Sequence, residues 1–156
     1  MSFEILMTDL INKGVIKKCP VDKRAAGNLI KRAIQDLRTA KHNLSFDCEC
    51  SYEYAYNAML RSSLAMMRYC GYRPSIKNKH INVVKFAEVI LSDSFESLII
   101  EYDMMRKQRN RFIYEPMRAC SQSEAGLAIS ISKEFCTELV SRMPDVPGQK
   151  EFDFKE

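Results

Sequence analysis

The sequence predicts an all-α domain, an up-and-down four-helix bundle with short extra helices. The five prolines stand at positions 20, 74, 116, 144 and 147, so the stretches 21–73 and 75–115 contain no proline that would interrupt a helix. Apolar residues recur at spacings of three and four, as on one face of a helix, and the alternation typical of strands is hard to find. We expect one domain over residues 1–143 and a flexible acidic tail over 144–156.

Three helices are predicted in the first half of the chain. A short one covers 3–12, and the next follows Asp22, whose carboxylate is expected to accept hydrogen bonds from the first turn. Its apolar positions continue to residue 44, with Lys and Arg between them. Residues 46–50 are expected to form a connection to a third helix, which Ser51 caps. Gly71 ends that helix, because glycine readily adopts left-handed backbone.

Three further helices are predicted in the second half. Residues 72–79 are expected to form a loop, followed by a shorter amphipathic helix at 81–91. Asp93 opens a helix that ends before Pro116, since proline cannot occupy a helix interior. The segment Ser121-Gln122-Ser123-Glu124 has the spacing of a capping box and opens the last helix, which extends to about residue 143.

Positive charge is concentrated near the N-terminus. The chain of 156 residues has a formal net charge of +4, whereas residues 11–41 contain nine Lys or Arg against two Asp, a local net charge of +7. Such a basic stripe suits a phosphate-bearing partner, and the alternative is an ordinary solvated helix face. The candidate nucleic-acid contacts in the basic stripe are Lys23, Lys31, Arg32 and Arg38.

Other classes of protein are disfavoured. No run of apolar residues approaches the roughly 18 needed to span a membrane, and the N-terminus lacks a basic and apolar leader, so we expect a cytoplasmic protein. In that compartment the six cysteines are expected to be free thiols. With only His42 and His80 as histidines, we expect no metal site, and no cofactor is predicted.

Arg109 interrupts the apolar stripe of the helix predicted before Pro116. A charged side chain on a core-facing seam must be paired or lie in a cleft, because an unpaired buried charge is very costly. One alternative is a structural ion pair with an acid such as Asp36, and the other is a polar cavity that binds an anion through the planar guanidinium. The candidate ligand-binding residues are Arg109, Asn110, Tyr114, Asp36 and His80, and further candidate nucleic-acid contacts are Arg106 and Arg111.

Four segments of the chain together resemble the HEPN family, the nucleotide-binding domains of prokaryotes and higher eukaryotes. They are Arg32 to Ala40, Ala55 to Met59, Gly71-Tyr72-Arg73-Pro74 with His80, and Arg109-Asn110. The resemblance covers about residues 20–143 and rests on the order and spacing of these segments. It implies a helical bundle that forms a homodimer. Many members are metal-independent ribonucleases, and others bind nucleotides or pair with a nucleotidyltransferase in toxin-antitoxin modules.

The resemblance places the family's catalytic arginine at Arg109 and its polar neighbour at Asn110. The family's histidine is missing, because no histidine follows His80 and Tyr114 stands at the corresponding place. Tyrosine, with a pKa near 10, is a poor general base at neutral pH. The resemblance therefore implies a HEPN-like domain that binds nucleotide or RNA without ribonuclease activity.

Two alternatives remain beside this binding function. In the first, the protein is a metal-independent ribonuclease toxin that uses Arg109 with Tyr114, assisted by His80. In the second, it is a structural or interaction protein in which Arg109 is a buried ion-pair residue.

Overall fold

The computed structural model describes residues 2–115 and 119–146 and confirms the all-α helical bundle. The elements in chain order are α1 (Phe3–Asn12), β1 (Ile16–Lys18), α2 (Lys23–Asn43), α3 (Cys48–Cys70), β2 (Tyr72–Pro74), α4 (Lys79–Leu91), a 3₁₀ turn (Asp93–Phe95), α5 (Glu96–Tyr114) and α6 (Gln122–Ser141).

Helix α3 is the centre of the bundle. It packs against α2 along its length and against α4, α5 and α6 on its other sides. Buried residues therefore lie on more than one face of this helix, with Tyr56 and Met67 on one side and Ala58 and Ala65 on the opposite side. Such placement on several faces is typical of a helix that is surrounded by others.

Local capping chemistry sets several helix ends as predicted. The side chain of Asp22 accepts a hydrogen bond from the Ala25 N–H, and that of Ser121 accepts one from the Glu124 N–H. Gly71 follows α3 with a φ of +86°, in the left-handed region expected of it. Helix α5 ends at Tyr114 as predicted, while Pro116 itself lies outside the described residues.

Two predicted helix starts are wrong. Helix α3 begins at Cys48 because the carboxylate of Asp47 accepts a hydrogen bond from the Cys50 N–H. Ser51 lies within that helix, and its buried hydroxyl donates to the Ala40 carbonyl of α2 at 2.5 Å. Helix α5 begins at Glu96, after a 3₁₀ turn, rather than directly after Asp93.

The two short strands were not predicted, and residues 72–74 are not a loop. Strands β1 and β2 pair antiparallel, with Ile16 opposite Pro74 and Lys18 opposite Tyr72. They join the segment after α1 to the segment before α4. Strands of three residues are too short for a periodic pattern to reveal.

The packed domain extends beyond residue 143. Val146 is buried, and Asp145 binds both the Lys23 ammonium and the Tyr69 hydroxyl, the latter at 2.9 Å. The rest of the predicted tail, 147–156, lies outside the described residues. In the described ranges, none of the helices combines the length and the apolar character that a membrane span requires.

Candidate functional site

Arg109 lies at the edge of the core, where α5 meets α3. One and two turns before it, Met105 and Tyr102 are buried, whereas 24% of the Arg109 side chain is exposed. Its Nη2 donates to Glu53 Oε1 at 3.2 Å, and its guanidinium lies 5.5 Å from the centre of the Tyr56 ring. Its Nε is buried and has no hydrogen-bond partner among the described residues. The arginine is thus both paired and placed beside a cleft.

A cavity of about 330 Å³ opens between α5 and the start of α4. It is lined by Asn78, Lys79, His80, Ile81, Arg106, Arg109 and Asn110. Three of these side chains are cations, and none is a carboxylate. Glu53 and Asp103, which pair with Arg109 and Arg106, are not among the lining residues. We call this space the Arg109 cavity.

Three contacts fix the start of α4 at this cavity. The two-stranded sheet holds the preceding segment, and the Ser75 N–H donates to the Val15 carbonyl at 3.0 Å. Asn78 then adopts left-handed backbone with a φ of +59°, and the Asn82 side chain donates to the Lys77 carbonyl at 2.8 Å. No side chain among the residues that the structure describes caps α4. The first N–H groups of a helix have no partner within it and carry partial positive charge, which adds to the cations of the cavity.

His80 connects this cavity to the core. Its Nδ1 lies 2.6 Å from the Tyr56 hydroxyl, and the two rings are nearly parallel. Burial lowers the pKa of His80, and the nearby charges of Arg109, Lys79 and Arg106 lower it further. Burial also raises the pKa of Tyr56 to about 12. At neutral pH the imidazole is therefore uncharged and Tyr56 keeps its proton. An uncharged imidazole has one nitrogen that donates and one that accepts.

Asp36 does not reach this cavity, and the predicted pairing of Asp36 with Arg109 is wrong. Asp36 lies on the face of α2 that packs against α3, where its side chain is 1% exposed and its Oδ2 is 2.9 Å from Arg61 Nε. Burial raises the pKa of Asp36 to about 6, although Arg61 and Arg32 act in the opposite direction. The packing of α2 on α3 brings Asp36 to Arg61, and Glu53 of α3 takes the place beside Arg109.

Tyr114 and Arg111 lie outside the Arg109 cavity. Tyr114 is 82% exposed at the end of α5, and Arg111 is exposed as well. A helix turns by about 100° per residue, so positions two and five residues beyond Arg109 project to other sides of α5. The structure thus brings together Arg109, Asn110, Arg106 and His80, but not Tyr114.

The basic stripe is separate from this cavity. Helix α2 packs mainly against α3 and α6, and none of the four stripe residues lines the Arg109 cavity. All four are exposed, and one of them binds the carboxylate of Asp145. The residues concerned are Lys23, Lys31, Arg32 and Arg38. A ligand in the cavity does not have to touch the stripe.

Sequence reasoning missed three residues of the site. Lys79 directly precedes the predicted candidate His80 in the chain, so its place in the site could have been inferred from the sequence. Tyr56 has a buried ring, but its hydroxyl reaches His80. Nothing local distinguishes Glu53 from the other acids of the chain, since only packing brings it to Arg109.

The described residues contain no cluster of three or more His, Cys, Asp or Glu side chains that would hold a metal ion. The six cysteines are free thiols, as the sequence predicts. The lining of the Arg109 cavity offers guanidinium, ammonium, imidazole and backbone N–H groups.

Comparison with known proteins identifies no relative, since no family model, curated protein sequence or solved structure matches the chain.

Proposed function

We propose that the protein binds a nucleotide or RNA and that the Arg109 cavity holds its phosphate. The observation that carries this proposal is the composition of the cavity wall, with three cations and no carboxylate. Guanidinium groups bind phosphate oxygens through parallel N–H bonds, and lysine and a helix N-terminus add positive charge. This function agrees with the HEPN resemblance in class but rests on the cavity.

The electrostatic environment of His80 supports this proposal. Arg109, Lys79 and Arg106 all lower the pKa of its imidazole, so all three act on the space that a ligand would occupy. A bound phosphate neutralises part of this positive charge. Ligand binding is therefore favoured by groups that the folded protein already holds in place.

The test is a binding measurement with UMP and with a single-stranded oligouridylate at two salt concentrations. We compare the wild-type protein with Arg109→Gln, and with Arg38→Gln as the matched control. Arg38 is an exposed arginine of the basic stripe that lines no part of the cavity. Arg109→Lys is added because it keeps the charge but loses the planar fork. Circular dichroism establishes that each variant is folded.

We expect Arg109→Gln to weaken UMP binding by about tenfold to a hundredfold, the equivalent of one hydrogen-bonded charged group. Arg38→Gln should change UMP binding little, and affinity should fall as salt is added. Equal losses in the two variants would assign binding to the general basic surface. No binding to any probe would leave Arg109 as a structural residue.

Ribonuclease activity is a second candidate function, and one observation favours it. His80 lines the same cavity as Arg109, so an imidazole stands where acid-base chemistry on a phosphate would need one. Tyr114, the residue at the place of the family's histidine, lies outside the cavity. A cleavage gel on the same RNA samples tests this function. Cleavage that His80→Gln abolishes and Tyr114→Phe leaves unchanged would establish it, and intact RNA in all samples would exclude it.

The structural alternative makes an opposite prediction. If Arg109 serves only to hold α5 on α3 through Glu53, the wild-type protein should bind none of the probes. Arg109→Gln should then change only the free energy of unfolding. Both side chains are partly exposed, and such ion pairs contribute only about 1 kcal/mol or less. We therefore expect a small loss of stability, measured by urea denaturation.

Two of the remaining proposals rest on the HEPN resemblance: a homodimer, and a nucleotidyltransferase-type partner protein within a toxin-antitoxin module. The third, a cytoplasmic location, rests on the composition of the sequence. Sedimentation equilibrium tests the first. Co-purification with the product of a neighbouring gene tests the second, and cell fractionation tests the third.

A further inference from the structure

A second basic cavity adjoins the Arg109 cavity. It has a volume of about 420 Å³, and Lys79 lines both spaces. Its basic side chains are Arg68, Arg73 and Lys79, and its apolar wall includes Leu64, Tyr72 and Ile76. We call it the Arg73 cavity. Because Lys79 borders both, the two spaces are neighbours.

Among the described residues, no acid forms an ion pair with the cations of the Arg73 cavity. Within the described residues, neither Arg73 nor Lys79 forms an ion pair, and the guanidinium of Arg68 contacts Cys19 Sγ at 3.7 Å. In the small sheet, Lys17 lies directly opposite Arg73. Like charges at such positions destabilise a strand pair. An anion bound at Arg73 would offset this repulsion. The strand pairing therefore favours an anion at Arg73 independently of the shape of the cavity.

The wall of the Arg73 cavity suits a nucleotide, with its base against the apolar wall and its phosphate at Arg73, better than a free phosphate. A tyrosine ring, aliphatic side chains and guanidinium groups lie side by side there. Bases stack on aromatic and guanidinium planes in single-stranded nucleic acids, while the backbone phosphates contact basic side chains. Each cavity lies within the range of about 300–1,000 Å³ typical of small-ligand sites.

We propose that the ligand is a single-stranded oligonucleotide of at least two nucleotides rather than a mononucleotide. One phosphate occupies the Arg109 cavity, and the adjoining nucleotide occupies the Arg73 cavity, with Lys79 between them. This inference rests on the proposed function and identifies the substrate class of the same site. It assigns Arg73 as a residue that selects for ligand length.

The test compares UMP with the dinucleotide pUpU, which adds one nucleoside and one phosphate. In the wild-type protein pUpU should bind about tenfold more tightly or better, the equivalent of one additional charge-assisted hydrogen bond. Arg73→Gln should remove this advantage and leave UMP binding unchanged, whereas Arg109→Gln should weaken both ligands. With a longer oligouridylate, Arg73→Gln should reduce the slope of log affinity against log salt by about 0.7, the value for one phosphate contact on a single strand.

A second pair of variants controls for any effect of Arg73→Gln on the pairing of β1 with β2. Ile76 is 88% exposed at the rim of the Arg73 cavity, so substitution there should leave the fold intact. Ile76→Glu places a carboxylate beside the path of the ligand, and Ile76→Gln is its uncharged control. We expect Ile76→Glu to weaken pUpU binding more than Ile76→Gln does, with UMP much less affected.

The outcomes separate this inference from the proposed function. Equal affinities for UMP and pUpU, or pUpU binding that neither Arg73→Gln nor Ile76→Glu changes, would overturn the inference alone. An unchanged UMP affinity in Arg109→Gln, or no binding of either probe to the wild-type protein, would overturn the proposed function.

Discussion

Asp36→Asn tests the structural role that the fold gives to a predicted ligand-binding residue. In the folded protein the carboxyl of Asp36 is 1% exposed and stands 2.9 Å from Arg61 Nε. Burial raises its pKa from the ordinary value of 3.8 to about 6, against the opposing effects of Arg61 and Arg32. The negative charge is therefore less favourable in the folded chain than in the unfolded chain.

The sign of the pH dependence follows from this difference. Between pH 4 and pH 6 the folded chain retains a proton that the unfolded chain has released, so the contribution of Asp36 to stability falls as pH rises. A pKa difference of about 2 corresponds to about 3 kcal/mol, all of which is lost above pH 6. Asparagine carries no charge at any pH. The stability of Asp36→Asn relative to wild type should therefore rise by up to about 3 kcal/mol between pH 4 and pH 7.

The assay is urea denaturation followed by circular dichroism at pH 4, 5, 6 and 7. Asp103→Asn is the matched control, because hydrogen bonds from Arg106 and Lys107 outweigh burial and lower the pKa of Asp103. Relative to wild type, that variant should change little between pH 4 and pH 7, because the pH dependence of a carboxyl with a lowered pKa lies mainly below its ordinary value of 3.8. A difference between Asp36→Asn and wild type that does not change with pH, or that becomes less favourable toward pH 7, would refute the reasoning.

Three further predictions concern the backbone, a helix cap and the cavity. Gly71→Ala should cost more stability than Gly14→Ala: both positions have positive φ, worth about 1–2 kcal/mol, but only at Gly71 does an added Cβ come within 3.1 Å of the Cys19 carbonyl. Equal shifts in Tm would contradict this. Ser121→Ala should cost about 1 kcal/mol in thermal denaturation, because its side chain caps α6, and an unchanged Tm would contradict that role. Because its surroundings lower the pKa of His80, the imidazole becomes charged only at a pH below the ordinary histidine range, and only there should wild type gain UMP affinity relative to His80→Gln. If UMP affinity changes with pH in the same way in both proteins, His80 does not contact the ligand.

Much of the fold follows from local chemistry. Helix periodicity and the absence of proline over long stretches predict the helices, and side chains such as Asp22 and Ser121 set their ends within one turn. These interactions join residues three or four apart, so they can be inferred from spacing. The error at Ser51 marks the limit, because its hydroxyl contacts a carbonyl of α2. The Asp47 cap is itself local, because its carboxylate accepts from the N–H three residues further on, whereas only packing shows that the Ser51 hydroxyl is buried against α2.

The candidate site, like the fold, could be predicted only in part from the sequence. An arginine in an apolar stripe is visible in the sequence, and the rule that a partly buried charge needs a partner predicts a pair or a cleft at Arg109. The identity of the partner is not visible. Glu53 and Asp36 are both acids on neighbouring helices, and the relative rotation of α2, α3 and α5 decides which of them meets Arg109.

By itself, the sequence determined the helical class, most helix boundaries and the interruption of an apolar stripe by Arg109. The tertiary structure alone decided that His80 and Lys79 share a cavity with Arg109. That juxtaposition depends on the pairing of β1 with β2, which joins residues 16–18 to 72–74 and holds the start of α4. Contacts between such distant residues leave no periodic pattern in the chain, because their energy depends on the packing of the whole domain.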